Sequence, residues 1–156
     1  MWKYESCDFE NISLHDNFID KVQTERNDIL LIFNEGFDVL KTHPLNDTGK
    51  SKRTTASQII LRNSKFSKGI IHHSERERQE IDLACLLDST CYFEVLDWIL
   101  KFKVEDGTVA LFGEMYWENS PKREFSELEF FCSDVLFCWN DYSEDAWFEG
   151  WPENTK

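Results

Sequence analysis

The stretch Trp98-Ile99-Leu100-Lys101-Phe102-Lys103-Val104 decides the fold class. Trp98, Leu100, Phe102 and Val104 alternate against Lys101 and Lys103, the period of two expected of a half-buried strand. Glu105-Asp106-Gly107 follows with turn chemistry, and Thr108 to Trp117 reads as a returning strand, so the sequence predicts a β-hairpin. A second hairpin is predicted from Leu128-Glu129-Phe130-Phe131-Cys132 to Val135-Leu136-Phe137-Cys138-Trp139, turning through Ser133-Asp134.

Working outward, Phe18 to Thr24, Asp28 to Phe33 and Phe37 to Leu40 read as a strand meander with a buried second strand, the last two joined by a tight turn at Asn34-Glu35-Gly36. Lys41 to Arg53 carries Pro44, Asn46, Asp47 and Gly49 and ends in Lys50-Ser51-Lys52-Arg53, which predicts a protruding loop before a strand over residues 54–62. Ser74 and Glu77 fit a capping box, and Ile81, Ala84, Cys85 and Leu87 have roughly helical spacing, so a helix is expected within residues 74–88. The Ile81-Asp82-Leu83 portion fits an extended strand equally well. Together these elements predict a mainly β fold, an antiparallel sheet or sandwich of hairpins with one or two helices, in a single domain over residues 1–156. Residues 140–156 read as an extended acidic and aromatic C-terminal segment.

With 41% hydrophobic and 15% aromatic residues in 156, the chain has ample material for a core. No run approaches the ~20 apolar residues of a membrane span, and the N-terminus lacks a signal-peptide pattern, so a cytoplasmic location is expected. Cys7, Cys85, Cys91, Cys132 and Cys138 form an odd set without a C-x-x-C pair, which argues for reduced thiols and against a disulfide framework or zinc knuckle. The sequons at Asn11 and Asn46 carry no meaning in that compartment.

The net charge of −13 is unevenly spread. Residues 1–80 hold 12 Lys/Arg against 13 Asp/Glu, whereas residues 81–156 hold 5 against 17. Like charges gathered this way repel one another, so they point to a role, and a basic partner supplies one. Nucleic acid is disfavoured, because phosphate binding needs clustered Lys and Arg.

No arrangement of residues makes a strong case for catalysis. His15-Asp16 suggests a metal pair or an acid/base dyad, but adjacent residues on an extended chain face opposite ways, so a structural role is expected. His72-His73 with Glu75 suits zinc or nickel chemically, yet lies outside any H-E-x-x-H or H-x-H frame and reads as a polar loop. Gly49-Lys50-Ser51 resembles the end of a phosphate-binding loop, but Pro44 stands where that motif needs glycine. The basic run around it is read as solvated, or as a contact for an acidic patch. No nucleophile elbow or cysteine-protease signature occurs.

The remaining feature is the segment Trp139 to Glu153, in which Asp141, Glu144, Asp145 and Glu149 surround Trp147 and Trp151. Tryptophans anchor protein interfaces and neighbouring carboxylates steer basic partners, so these six residues are the candidate partner-binding site. The alternative is a last strand whose aromatics cap the core. Exposure separates the two.

The opening Phe9-Glu10-Asn11-Ile12-Ser13-Leu14-His15-Asp16, the hydrophobic strand after it, and Phe33-Asn34-Glu35-Gly36-Phe37 resemble small acidic bacterial immunity-type proteins of contact-dependent inhibition and polymorphic toxin systems. The resemblance spans residues 1–60. It implies a stoichiometric inhibitor that covers the active site of a cognate toxin, such as a nuclease with a basic substrate-binding surface, the acidic half imitating the phosphates that the toxin expects. From the residue spacings, no cofactor or metal is expected. Two other classes stand beside it: an interaction domain of another bacterial assembly, and a metal-dependent hydrolase.

Overall fold

The structure is a computed structural model; it describes residues 1–88, 90–102, 107–118 and 123–152. Among the described residues, fifteen strands and one helix follow in chain order. They are β1 (Tyr4–Ser6), β2 (Ile12–Ser13), β3 (Asn17–Ile19), β4 (Lys21–Glu25), β5 (Asp28–Phe33), β6 (Asp38–Val39), β7 (Lys52–Thr54), β8 (Ser57–Arg62), β9 (Lys65–His72) and β10 (Arg78–Ile81). Helix α1 (Leu83–Leu87) precedes β11 (Cys91–Phe102), β12 (Gly107–Trp117), β13 (Arg123–Cys132), β14 (Asp134–Trp139) and β15 (Tyr142–Asp145).

Among the described residues, all strand pairs are antiparallel. The strands form a five-stranded sheet ordered β1-β14-β8-β5-β4, a six-stranded sheet ordered β10-β9-β13-β12-β11-β3, and a small sheet ordered β15-β7-β6-β2. The two large sheets share one apolar cluster, with Leu31, Leu61 and Phe137 from the first against Val95, Leu111 and Phe130 from the second. Trp98 bridges them, its ring meeting Phe137 edge-on at 5.7 Å. The mainly β, antiparallel fold with one short helix is therefore as the alternation predicts. No helix among the described residues is long and apolar enough to cross a membrane.

The β11–β12 hairpin is present, with Trp98 opposite Leu111 and Leu100 opposite Val109. Its predicted turn lies partly on residues 103–106, outside the described residues. A β-bulge between Val95 and Asp97 interrupts the pairing. It shifts the inward face from Cys91, Phe93 and Val95 to Trp98 and Leu100, since one extra residue reverses the alternation. Gly113 lies opposite the bulge, where a Cβ would run into the Glu94 carbonyl oxygen.

Four expectations need correction or refinement. The β13–β14 pair is not a hairpin: β13 joins the six-stranded sheet and β14 the five-stranded one. The backbone and side chain of Ser133 both donate to the Arg62 carbonyl, and the chain bends there from one layer to the other. The meander also breaks at Gly36, whose φ of +79° turns the chain away from β5, so that β6 pairs with β2 and β7.

A helix does lie within residues 74–88, as expected, but it begins at Asp82, whose carboxylate accepts the Cys85 N–H, and not at the capping box of Ser74. Ser74 Oγ does accept the Glu77 N–H, but this closes the turn of the β9–β10 hairpin; the same local bond serves a turn as readily as a helix cap. Finally, the loop before β7 is exposed along most of its length but is not free, being pinned by buried residues. His43, Asn46 and Ser51 are buried, and the Asn46 amide donates to the carbonyls of Val39, Leu40 and Lys50. Lys52 and Arg53 belong to a strand between β6 and β15.

Candidate partner-binding site

Residues 141–151 pack onto the loop before β7. Pairing of β15 with β7 starts the contact, and the Ala146 N–H donates to the Ser51 carbonyl at 2.9 Å. Two successive turns follow, from Glu149 N to Ala146 O and from Trp151 N to Phe148 O. Phe148 is buried, and the polar side chains around it secure the clasp. Glu149 accepts the Ser51 N–H at 2.6 Å, and Asp145 meets Lys52 at 2.6 Å and Lys50 at 3.5 Å. The hydrogen bond from the Lys52 ammonium holds the Asp145 carboxyl below its ordinary 3.8.

The six candidate residues thus share one short segment but fall into two groups. Glu149 and Asp145 are turned toward basic or amide groups of the chain itself. Asp141 and Glu144 are exposed, and so in part are Trp147 (37%) and Trp151 (51%), whose rings meet at right angles 5.2 Å apart. By the exposure criterion, the two tryptophans are surface groups and Phe148 is the buried ring of the segment. Trp147 is steadied by its indole N–H, 3.4 Å from the His15 carbonyl, and by the His15 ring at 5.7 Å.

Charge inside the small sheet is handled differently. Asp38 is fully buried and pairs with Arg53, Nε to Oδ1, at 2.9 Å. The Asn17 amide beside them, with its nitrogen donating to Ser13 O and its oxygen accepting from Arg53, completes the network. Burial pushes the Asp38 carboxyl up, and Arg53 opposes that shift. Lys50, Lys52 and Arg53 therefore meet acidic groups, the second of the two readings of that basic run.

The other acidic residues of the second half lie elsewhere. Glu94 and Glu114 are register neighbours on the outer face of the six-stranded sheet, and the Tyr116 hydroxyl is hydrogen-bonded to both carboxylates. Phe125 and Phe131 on β13 and Ile99 on β11 are exposed. The sequence pattern does not separate this face from the C-terminal carboxylates, because charge counted along a chain carries no information on which sheet receives it.

The histidine motifs resolve locally. Asp16 has φ of +63°, so the chain is not extended there, and the His15 and Asp16 side chains meet at 3.1 Å instead of facing opposite ways. His72 contacts Glu127 at 3.0 Å, while His73 contacts Glu124 at 3.5 Å and the Gln79 side chain at 2.8 Å. Among the described residues, no three His, Cys, Asp or Glu side chains converge into a ligand group.

A cleft absent from the sequence expectations opens beside Trp147, lined by Leu96, Asp97 and Trp98 at the β11 bulge and by His15 and Phe148. One signal in the sequence does mark it: the phase slip from Cys91-Phe93-Val95 to Trp98-Leu100. No family model, curated protein or solved structure matches the chain.

Proposed function

We propose that this chain is a non-catalytic binding module for a basic protein, acting as an immunity-type inhibitor that covers the active site of a cognate toxin such as a nuclease. The observation that carries this reading is the right-angled Trp147–Trp151 pair, part-exposed on a fastened clasp that follows the exposed Asp141 and Glu144 in the chain. Large rings held in place lose little rotamer freedom on binding, which is what makes aromatic anchors effective. The surrounding charge attracts a basic surface from a distance and disfavours acidic competitors.

The test is co-expression with the product of the adjoining reading frame and purification through a tag on this chain. The reading expects a basic protein in a one-to-one complex, with its toxicity suppressed. An acidic partner, or a complex unaffected by charge reversal at Glu144, contradicts it. A second reading, an interaction domain of a larger assembly, draws on the exposed Phe125, Phe131 and Ile99. It expects binding to fail on substitution of Phe125 and Phe131 and to survive substitution of Trp151.

A further inference from the structure

Leu96, Asp97 and Trp98 are consecutive residues of one strand, yet all three line the same cleft of about 380 Å³ with His15, Trp147 and Phe148. β3 covers the edge of β11 only from Phe93 to Val95, and the strand bends at the bulge between Val95 and Asp97, so the three residues that follow border the cleft along that free edge. The opposite wall is equally constrained. Asp16, in the left-handed region at φ +63°, donates its N–H to the Val95 carbonyl at 2.8 Å and fixes the His15 turn against the bulge. Non-glycine residues adopt that region sparingly, and such positions gather at ligand sites.

The chemistry of the lining is selective. The lining holds two tryptophans, Trp98 and Trp147, one carboxylate residue, Asp97, and the apolar Ile12 and Leu40. One Asp97 oxygen accepts its own Trp98 N–H at 2.8 Å. Among the described residues, no Lys or Arg lines the cleft. Its volume lies at the small end of ligand pockets, suited to one long side chain. Indole faces attract cations, a carboxylate pairs with guanidinium, and apolar side chains accommodate the methylene stem.

We propose that this cleft receives an arginine side chain presented by the basic partner, its stem on Ile12 and Leu40 and its guanidinium between Trp147 and the Asp97 carboxylate. This rests on the reading of a basic partner above and gives it a point of attachment.

The experiment is a 1H–15N NMR titration of the full chain with N-acetyl-argininamide, with N-acetyl-leucinamide as control. The arginine derivative is expected to move the Trp98 and Trp147 indole signals and the Asp97 amide saturably, and the leucine derivative to leave them in place. Asp97→Asn keeps the acceptor for the Trp98 N–H and loses the charge, so it should weaken arginine binding about tenfold with the rest of the spectrum unchanged. Equal shifts from both derivatives, or unchanged affinity in Asp97→Asn, overturns the inference. Saturable shifts confined to the Trp151 and Glu144 surface overturn the cleft while leaving the basic-partner reading in place. With the co-purified partner, N-acetyl-argininamide should compete for wild type; binding without competition means that the cleft takes a free cation and not a partner residue, which also overturns it.

Discussion

Glu149 accepts the backbone N–H of Ser51, 98 residues away in the chain, at 2.6 Å, and this bond ties the C-terminal turns to the loop before β7. A charge-assisted bond of this kind contributes about 1.5–3 kcal/mol, and its loss leaves a part-buried amide without its acceptor. Glu149→Ala should therefore destabilise the protein by about 2 kcal/mol in denaturant unfolding and speed hydrogen exchange at Ser51. Glu144→Lys, at an exposed position, should stay within roughly 0.5 kcal/mol of wild type. Equal effects of the two would mean that the clasp is not fastened as described.

His43 gives the pH dependence its direction. It is 2% exposed; its Nδ1 accepts the Leu45 N–H at 3.0 Å, leaving Nε2 to contact Ser6 Oγ at 3.1 Å, and the Trp139 ring stands edge-on at 5.4 Å. Burial lowers its pKa below the ordinary 6.5, opposed by the charge of Asp8. Below pH 6.5 the unfolded chain therefore binds a proton that the folded chain resists, so this contribution to stability is present above 6.5 and lost as the pH falls through it. The difference in Tm between His43→Phe and wild type should move in favour of the variant from pH 7.5 to pH 5.5. A constant difference across that range would show that His43 is free to protonate in the fold.

Thiol reactivity should divide the cysteines by burial. All five are free; Cys7 and Cys85 are exposed, and Cys91, Cys132 and Cys138 are buried. Burial pushes the Cys132 thiol up to about 11 and the Cys138 thiol up to about 12, which suppresses the reactive thiolate. A disulfide reagent at pH 8 should modify Cys85 first, then Cys7, whose own thiol is raised by burial and by Asp134. The other three should react at the rate of unfolding. Rapid modification of all five in the native state would contradict the layered core.

The antiparallel class and the β11–β12 hairpin were legible because Trp98, Leu100 and Lys101 alternate on a half-buried surface, and period-two patterning reflects burial directly. Pairing partners were less legible. Val135 and Phe137 alternate as a hairpin return strand would, but alternation states only that one face is buried; both layers of a sandwich satisfy it, and Ser133 takes the chain from one to the other. Ser74 and Glu77 misled for a related reason, since a short side-chain bond to a nearby amide stabilises a turn as well as a helix start.

The site was partly legible. Trp147, Trp151 and Glu144 stand at the surface as the composition of the segment suggested, whereas Asp145 and Glu149 are engaged by Lys52 and Ser51, groups distant in sequence. The bulge at Leu96 and the left-handed Asp16 shape the cleft through backbone geometry, which residue composition does not encode.

The most direct test of the central claim is the salt-dependent binding kinetics of Trp151→Ala and of Glu144→Lys against the basic protein recovered by co-expression. Trp151→Ala should speed dissociation roughly thirtyfold, corresponding to about 2 kcal/mol for a lost aromatic anchor, with association little changed. Glu144→Lys should slow association about tenfold at low ionic strength and flatten its salt dependence, with dissociation little changed. If both variants fold and bind that partner with wild-type rates at every salt concentration, the clasp is not the interface and the account is wrong.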